Sequence, residues 1–382
     1  MRIQGIVYRS QFFLFLAIVS ILLFQYELLM LERGVSLEIS LIIFSIAQIG
    51  SITAIFTLNK IADKLNTNKL LQISVVFRVI IAAAMFFTDN TVVFIVLFVL
   101  YIISSATNML FEGMMAQWAF TKNLTFGKIR VYGSLGFSAA GYMVSLMFLL
   151  TQNINYILLL ILGINIINLI LVWAFPIDYI KSKEEKGKVT VKLPLKFIWL
   201  LVLAAVIMAF PNSFSVVLNN HYREFFGLSV EEAIRFAGTA VFLGSFVAEL
   251  IGFYTVEDLI RKFGAKILIM AGISLSVFRW IMALVAPNPF IFTLSYFFHG
   301  LTFIPIYLGI IGYAKELFGE ENTRKVVMQF AMFSQISGVI WIQITNFLIN
   351  FYSNLVLLMF FAGFSIIIAV IFYVFYLRNE AV

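Results

Sequence analysis

Residues 111–137 read FEGMMAQWAFTKNLTFGKIRVYGSLGF, two apolar arms around a polar middle, with a carboxylate, Glu112, in the first arm and a guanidinium, Arg130, in the second. If the arms are antiparallel helices turning near Thr121, each charge lies nine residues from the turn and both heads stand at one depth. That is pairing geometry. A lone charge in hydrocarbon costs between roughly 3 and more than 10 kcal/mol, so ionisable groups in such segments face a bundle interior and mark a substrate or ion path. Arg130, Gly133 and Phe137 fall within two helical turns and share one face. An arginine, a gap and an aromatic plane make a wall for a polar organic ligand. The same spacing also fits a salt bridge that only locks two helices together.

Outward from this stretch the chain stays apolar. Of 382 residues, 62% are hydrophobic, 16% aromatic and 12% charged, which excludes an ordinary soluble domain. Runs reaching the roughly 20 residues of a membrane-spanning helix occur near 10–30, 37–58, 69–88, 92–118, 127–150, 154–175, 194–218, 231–255, 265–285, 289–313, 324–348 and 353–377. Strands of a β-barrel would be about ten residues long with alternating polarity. The sequence therefore predicts an all-α membrane protein with 12 transmembrane helices. The first run follows Arg2 and Arg9 but continues past Glu27 without a small-x-small cleavage site, so it reads as a retained span rather than a signal peptide. With no cysteine there is no disulfide, thiolate ligand or cysteine nucleophile.

The net charge of +7 sorts by side of the membrane, not into a nucleic-acid patch. Arg2, Arg9, Lys60, Lys64, Lys69, Lys122, Lys128, Arg130, six lysines between 181 and 196, Arg261, Lys262, Lys266, Lys315, Arg324, Lys325 and Arg378 fall at one set of loop ends. Only Arg33, Arg223 and Arg235 fall at the other. The positive-inside rule then places both termini and the 176–193 loop in the cytoplasm, with the protein multi-pass in the cytoplasmic membrane.

Two echoes run along the chain. Gly34-Val35-Ser36-Leu37-Glu38 returns as Gly227-Leu228-Ser229-Val230-Glu231, and Val76-Phe77-Arg78-Val79-Ile80-Ile81-Ala82 returns as Val277-Phe278-Arg279-Trp280-Ile281-Met282-Ala283. They predict two six-helix pseudo-repeats in parallel: an N-terminal bundle, 1–175, a cytoplasmic linker, 176–193, and a C-terminal bundle, 194–382. In the second bundle Glu249 and Arg279 each lie fifteen residues from Gly264, and Arg279 and His299 each ten from Pro289. All three therefore reach one level near the middle of the membrane. Each alone could be a buried polar group bonded to a neighbouring helix, whereas three at one level point to a site. Arg78, the first-half counterpart of Arg279, needs a partner, and Glu27 is a further candidate for the lumen.

The stretch FGKIRVYGSLGF resembles the FG-x-x-R-x-x-G-x-x-G-aromatic segment of the lactose permease, phenylpropionate permease and nucleoside–proton symporter group of the major facilitator superfamily. HGLTFIPIYLGIIGY and LSVFRW are similar to that group's tenth and ninth spans. The resemblance implies the major facilitator fold and substrate contacts at Glu112, Arg130, Phe137, Arg279 and His299. It also implies a gating motif between spans two and three, of which NKIADKLNTNK keeps Asp63 and Lys64. Phe137 stands where lactose permease has its sugar-stacking tryptophan, which argues against a galactoside. Thr302 stands where that permease has its proton-carrying carboxylate and cannot hold a proton at physiological pH. Glu249, chosen by depth and charge, is then the candidate for proton coupling.

No G-x-x-x-x-G-K-[ST], H-E-x-x-H or G-x-S-x-G motif is present, and no nucleophile can be placed beside a base. The expected protein is no enzyme, needs no cofactor or metal, and works as a monomer in the lipid bilayer. It is a permease: a proton symporter moving a small polar or aromatic organic solute, such as a sugar, nucleoside or aromatic acid, by alternating access. A facilitative uniporter, or a non-transporting receptor or scaffold on the same fold, is the alternative.

Overall fold

Apolar runs separated by short polar turns fold into twelve helices long and apolar enough to cross a membrane, with no strand among the described residues. The structure, a computed structural model, describes residues 2–62, 66–122, 124–151, 153–177, 193–319 and 323–378. The helices are α1 (Arg2–Leu31), α2 (Leu37–Ala62), α3 (Thr67–Phe87), α4 (Thr91–Ala119), α5 (Gly127–Thr151), α6 (Ile154–Ala174), α7 (Leu195–Ser215), α8 (Val230–Phe263), α9 (Ala265–Leu284), α10 (Pro289–Phe318), α11 (Thr323–Phe351) and α12 (Asn354–Leu377). In hydrocarbon no water can bond a free backbone group, so each segment closes its own ladder. The first turns are closed by Asn66, Asn90, Asn153, Ser229, Asn288 and Ser353, whose side chains accept from backbone N–H groups one turn on.

The echoed GVSLE and GLSVE segments turn out to be one construction used twice. Gly34 and Gly227 take φ of +74° and +68°, a conformation that strains any residue with a Cβ. Ser36 and Ser229 then accept from first-turn N–H groups of the next helix.

Two boundaries differ from expectation. The first helix begins at Arg2, ahead of the run expected near 10–30, and ends at Leu31. The seventh stops at Ser215, and Leu218–Phe226 form a separate short helix. Pro211 inside α7 removes a backbone donor, and LNNHYREFF buries Leu218, His221 and Tyr222 while exposing Arg223 and Glu224, a pattern unsuited to continuing a span.

The first six and last six helices form two halves, which meet where α2 and the second segment of α4 pack on α11 and where α5 runs along α8. Bonds cross this seam at both ends. Gln343 Nε2 donates to Ser45 Oγ at 2.5 Å. On the face from which α1 starts, here called the terminal face, the Gly127 backbone N–H donates to Glu257 Oε1 at 2.7 Å. Asp63, Lys64 and residues 178–192 of the expected linker lie outside the described residues.

Candidate functional site

Three helices break regularity at mid-depth. The α4 ladder is interrupted at Ser105 and that of α10 at Tyr296. In α8, residues Phe242–Ala248 wind as a π-helix that delivers Glu249. Such turns are rare and concentrate at functional sites. Gly300 lets α10 seat against this turn, since a Cβ there would lie 2.5 Å from the Gly244 carbonyl oxygen and 2.6 Å from the Glu249 nitrogen.

Around that crossing lies a cavity of about 170 Å³ between the halves. From α5 it is lined by Arg130, Ser134 and Phe137, spaced four and three residues apart on one helical face. From α10 come His299, Thr302 and Phe303, from α8 Glu249, and from α7 Asn212. Toward the face opposite the terminal one the space narrows into voids of about 20 and about 10 Å³.

The Glu112–Arg130 pair is made. Arg130 Nε donates to Glu112 Oε1 at 2.5 Å, and the Tyr307 hydroxyl, from the other half, donates to the same oxygen at 2.6 Å. The rings of Phe12, Phe253 and Tyr307 stand 5.9, 5.7 and 5.9 Å from the guanidinium carbon, within cation–π range. Arg130 Nη1 has no hydrogen-bond partner among the described residues. A buried ion pair returns little more than its desolvation cost, and an unmatched buried donor costs about 1–3 kcal/mol. An acceptor on a bound ligand would remove that cost.

Ser134 Oγ donates to Glu249 Oε2 across the seam. No ion pair joins Glu249 among the described residues. Both Ser134 and Tyr307 escaped the sequence reading. Tyr307 had a signal: it lies 195 residues after Glu112, close to the separation of the two sequence echoes. Ser134 sits one turn beyond Arg130 and could have been picked out by face alone.

Two expectations need correcting. Gly133 provides no gap for a ligand, because a Cβ there would meet Leu16 Cδ1 at 2.5 Å and Arg130 Nη1 at 2.8 Å; α1 and the arginine itself already fill that space. Arg279 does not share the cavity with Glu249 and His299. It stands behind His299, 1% exposed, with Nη1 3.1 Å from His299 Nδ1 and its guanidinium over Trp280 and Tyr296 at 4.5 and 4.7 Å. Its counterpart Arg78 binds the break in α4, with Nη2 donating to the Ser104 carbonyl at 3.1 Å and Nε to Ser104 Oγ at 3.3 Å. The side chain of Glu27 lies outside the described ones. No cluster of three metal-ligating side chains occurs among the described residues.

The sequence model of the MFS_1 like family matches residues 6–328. Among solved structures, that of the nucleoside transporter NupG superposes with a TM-score of 0.71 at 16% identity, covering 98% of this chain and 99% of that one. An auto-inhibited POT family peptide transporter gives 0.76 at 12% identity, covering 98% and 97%. A bacterial homologue of the iron transporter ferroportin, in an outward-facing state, gives 0.73 at 13% identity, covering 98% and 100%. At these identities the likeness is one of fold. No curated protein sequence matches the chain.

Proposed function

The chain belongs to the MFS_1-like family, and from that premise we propose that it is a secondary transporter carrying a small polar or aromatic organic solute, with a proton, by alternating access. One observation carries this reading: a cavity between the halves is walled by Arg130, one nitrogen of which is unmatched, and by Glu249, which lacks an ion-pair partner, both among the described residues. Glu112 and Tyr307 hold the arginine in place. A purely structural bundle has no use for such groups at mid-depth, where intramembrane ionisable residues mark solute and proton paths. The same basis supports a site made of Glu112, Arg130, Phe137 and His299, with Arg279 positioning the histidine; a gate at Asp63 and Lys64 rests on the resemblance of NKIADKLNTNK alone.

Lysine and arginine bias supports cytoplasmic termini and a cytoplasmic linker. Because the chain lacks cysteine, a single cysteine replacing Lys186 should react with an impermeant maleimide only from the cytoplasmic side, and one replacing Glu224 only from outside. Reversed labelling would invert the orientation.

Solute is tested with purified protein. Uridine, maltose and 3-phenylpropionate are screened by thermal shift, where a ligand at 100 times its Kd stabilises by about 2.7 kcal/mol, and the binder is followed by counterflow in proteoliposomes. Saturable counterflow is the expected result. A bound ligand without flux would make the protein a receptor, and transport indifferent to pH and membrane potential would make it a uniporter.

A further inference from the structure

Helix α1 has a second space behind it. Val19 lines the central cavity, and with Leu22 and Leu23 it also borders a separate cavity of about 100 Å³ enclosed by α2, α4 and α11. The polar lining there carries no formal charge: Gln48 and Ser51 from α2, Ser105 and Asn108 from α4, and Gln335 from α11 of the other half. Asn108 is 4% exposed and its Oδ1 has no hydrogen-bond partner among the described residues. Gln48 Oε1 is likewise buried and unmatched.

A buried carbonyl oxygen without a donor costs about 1–3 kcal/mol, yet two residues that carry one line the same void. Primary amides offer a donor and an acceptor side by side, which is why Asn and Gln pair bidentately with groups that offer the complementary pair. The volume equals roughly three water molecules at about 30 Å³ each, enough for one edge of a small ring or a pair of hydroxyls. Resting on the transporter reading above, we propose that this cavity is a second lobe of the solute site. It takes a neutral end of the solute that presents adjacent donor and acceptor atoms, such as a lactam edge or a vicinal diol, while Arg130 holds the other end. Uridine and maltose have such an end; 3-phenylpropionate ends in a bare phenyl ring.

Single cysteines test the lobe without background. Met208→Cys reports the central cavity, and Asn108→Cys and Gln335→Cys report opposite walls of the lobe, so that one lobe reporter remains if the other variant does not fold. Each is reacted with N-ethylmaleimide in proteoliposomes. All three should label. Uridine or maltose at ten times its Kd should slow labelling at 208, 108 and 335 about tenfold by mass action, and 3-phenylpropionate should protect 208 alone. If 108 and 335 are inert while 208 labels, the lobe is sealed off and the proposal fails. If a neutral-ended probe protects 208 but leaves 108 and 335 open, the lobe fails while the transporter reading stands. If no probe protects 208, the solute class fails, and the lobe with it.

Discussion

Arg130 is gripped by the Glu112 carboxylate and by the rings of Phe12, Phe253 and Tyr307, yet keeps one nitrogen unmatched among the described residues. Arg130→Lys should lower solute affinity by at least about 100-fold, since an ammonium cannot bond Glu112 and a ligand through one rigid planar fork. Glu112→Gln strands a buried cation at a stability cost of about 3–5 kcal/mol, so its affinity must be read on monodisperse protein. If both variants bind within about threefold of wild type by calorimetry, the pair only joins helices. Glu249 works differently. As a carboxylate it accepts a charge-assisted bond from Ser134, which is stronger than the bond a neutral carboxyl accepts. Taking up a proton would therefore loosen a tie between the halves. Glu249→Gln should abolish accumulation driven by a pH gradient and preserve solute exchange; accumulation at the wild-type level would remove Glu249 from the coupling step.

At the scale of elements, the site depends on a close crossing of α8 and α10. Gly300→Ala would drive a methyl into the α8 backbone at two points, 2.5 and 2.6 Å away, and overpacking of this kind costs about 1–3 kcal/mol. Gly338→Ala, where a Cβ meets nothing within 4 Å, is the control. Thermal melting should separate them, with loss of stability at 300 only; equal melting would show that the crossing yields easily. The sequence announces some elements and hides others for physical reasons. Helix positions were legible because long apolar runs are parted by short polar stretches, and the echoed segments because GVSLE returns as GLSVE. The π-turn before Glu249 was not, since inserting one residue into a helix leaves no trace in composition. Nor was the break at Ser105, which lacks a proline or glycine and is stabilised from another helix by Arg78.

Across the whole molecule, span number and two-half organisation were legible because both follow from apolar length and repetition. Side-chain meetings were legible in part. Counting residues from a turn yields depth but not azimuth, so Glu112 and Arg130 met as expected, while Arg279 arrived at the right level behind His299 instead of beside the cavity. Azimuth also hid the tie on the terminal face, where Glu257 of the second half accepts from the first N–H of α5. A carboxylate at a helix N-terminus is favoured by about 0.3–2 kcal/mol. Removing the charge with Glu257→Gln should therefore open that face more often, and 1 kcal/mol is about a fivefold change in population. Labelling of Met208→Cys by an impermeant maleimide from the terminal face should speed up accordingly; an unchanged rate would mean that the seal lies elsewhere.

The bond between Glu112 and Tyr307 joins residues 195 apart, nearly the spacing at which the two halves repeat, so each is close to the other's counterpart. Ser134 of the first half likewise donates to Glu249 of the second, so each half's buried carboxylate takes a hydroxyl from the other, and parting the halves there would leave both acceptors to be met by solvent or solute.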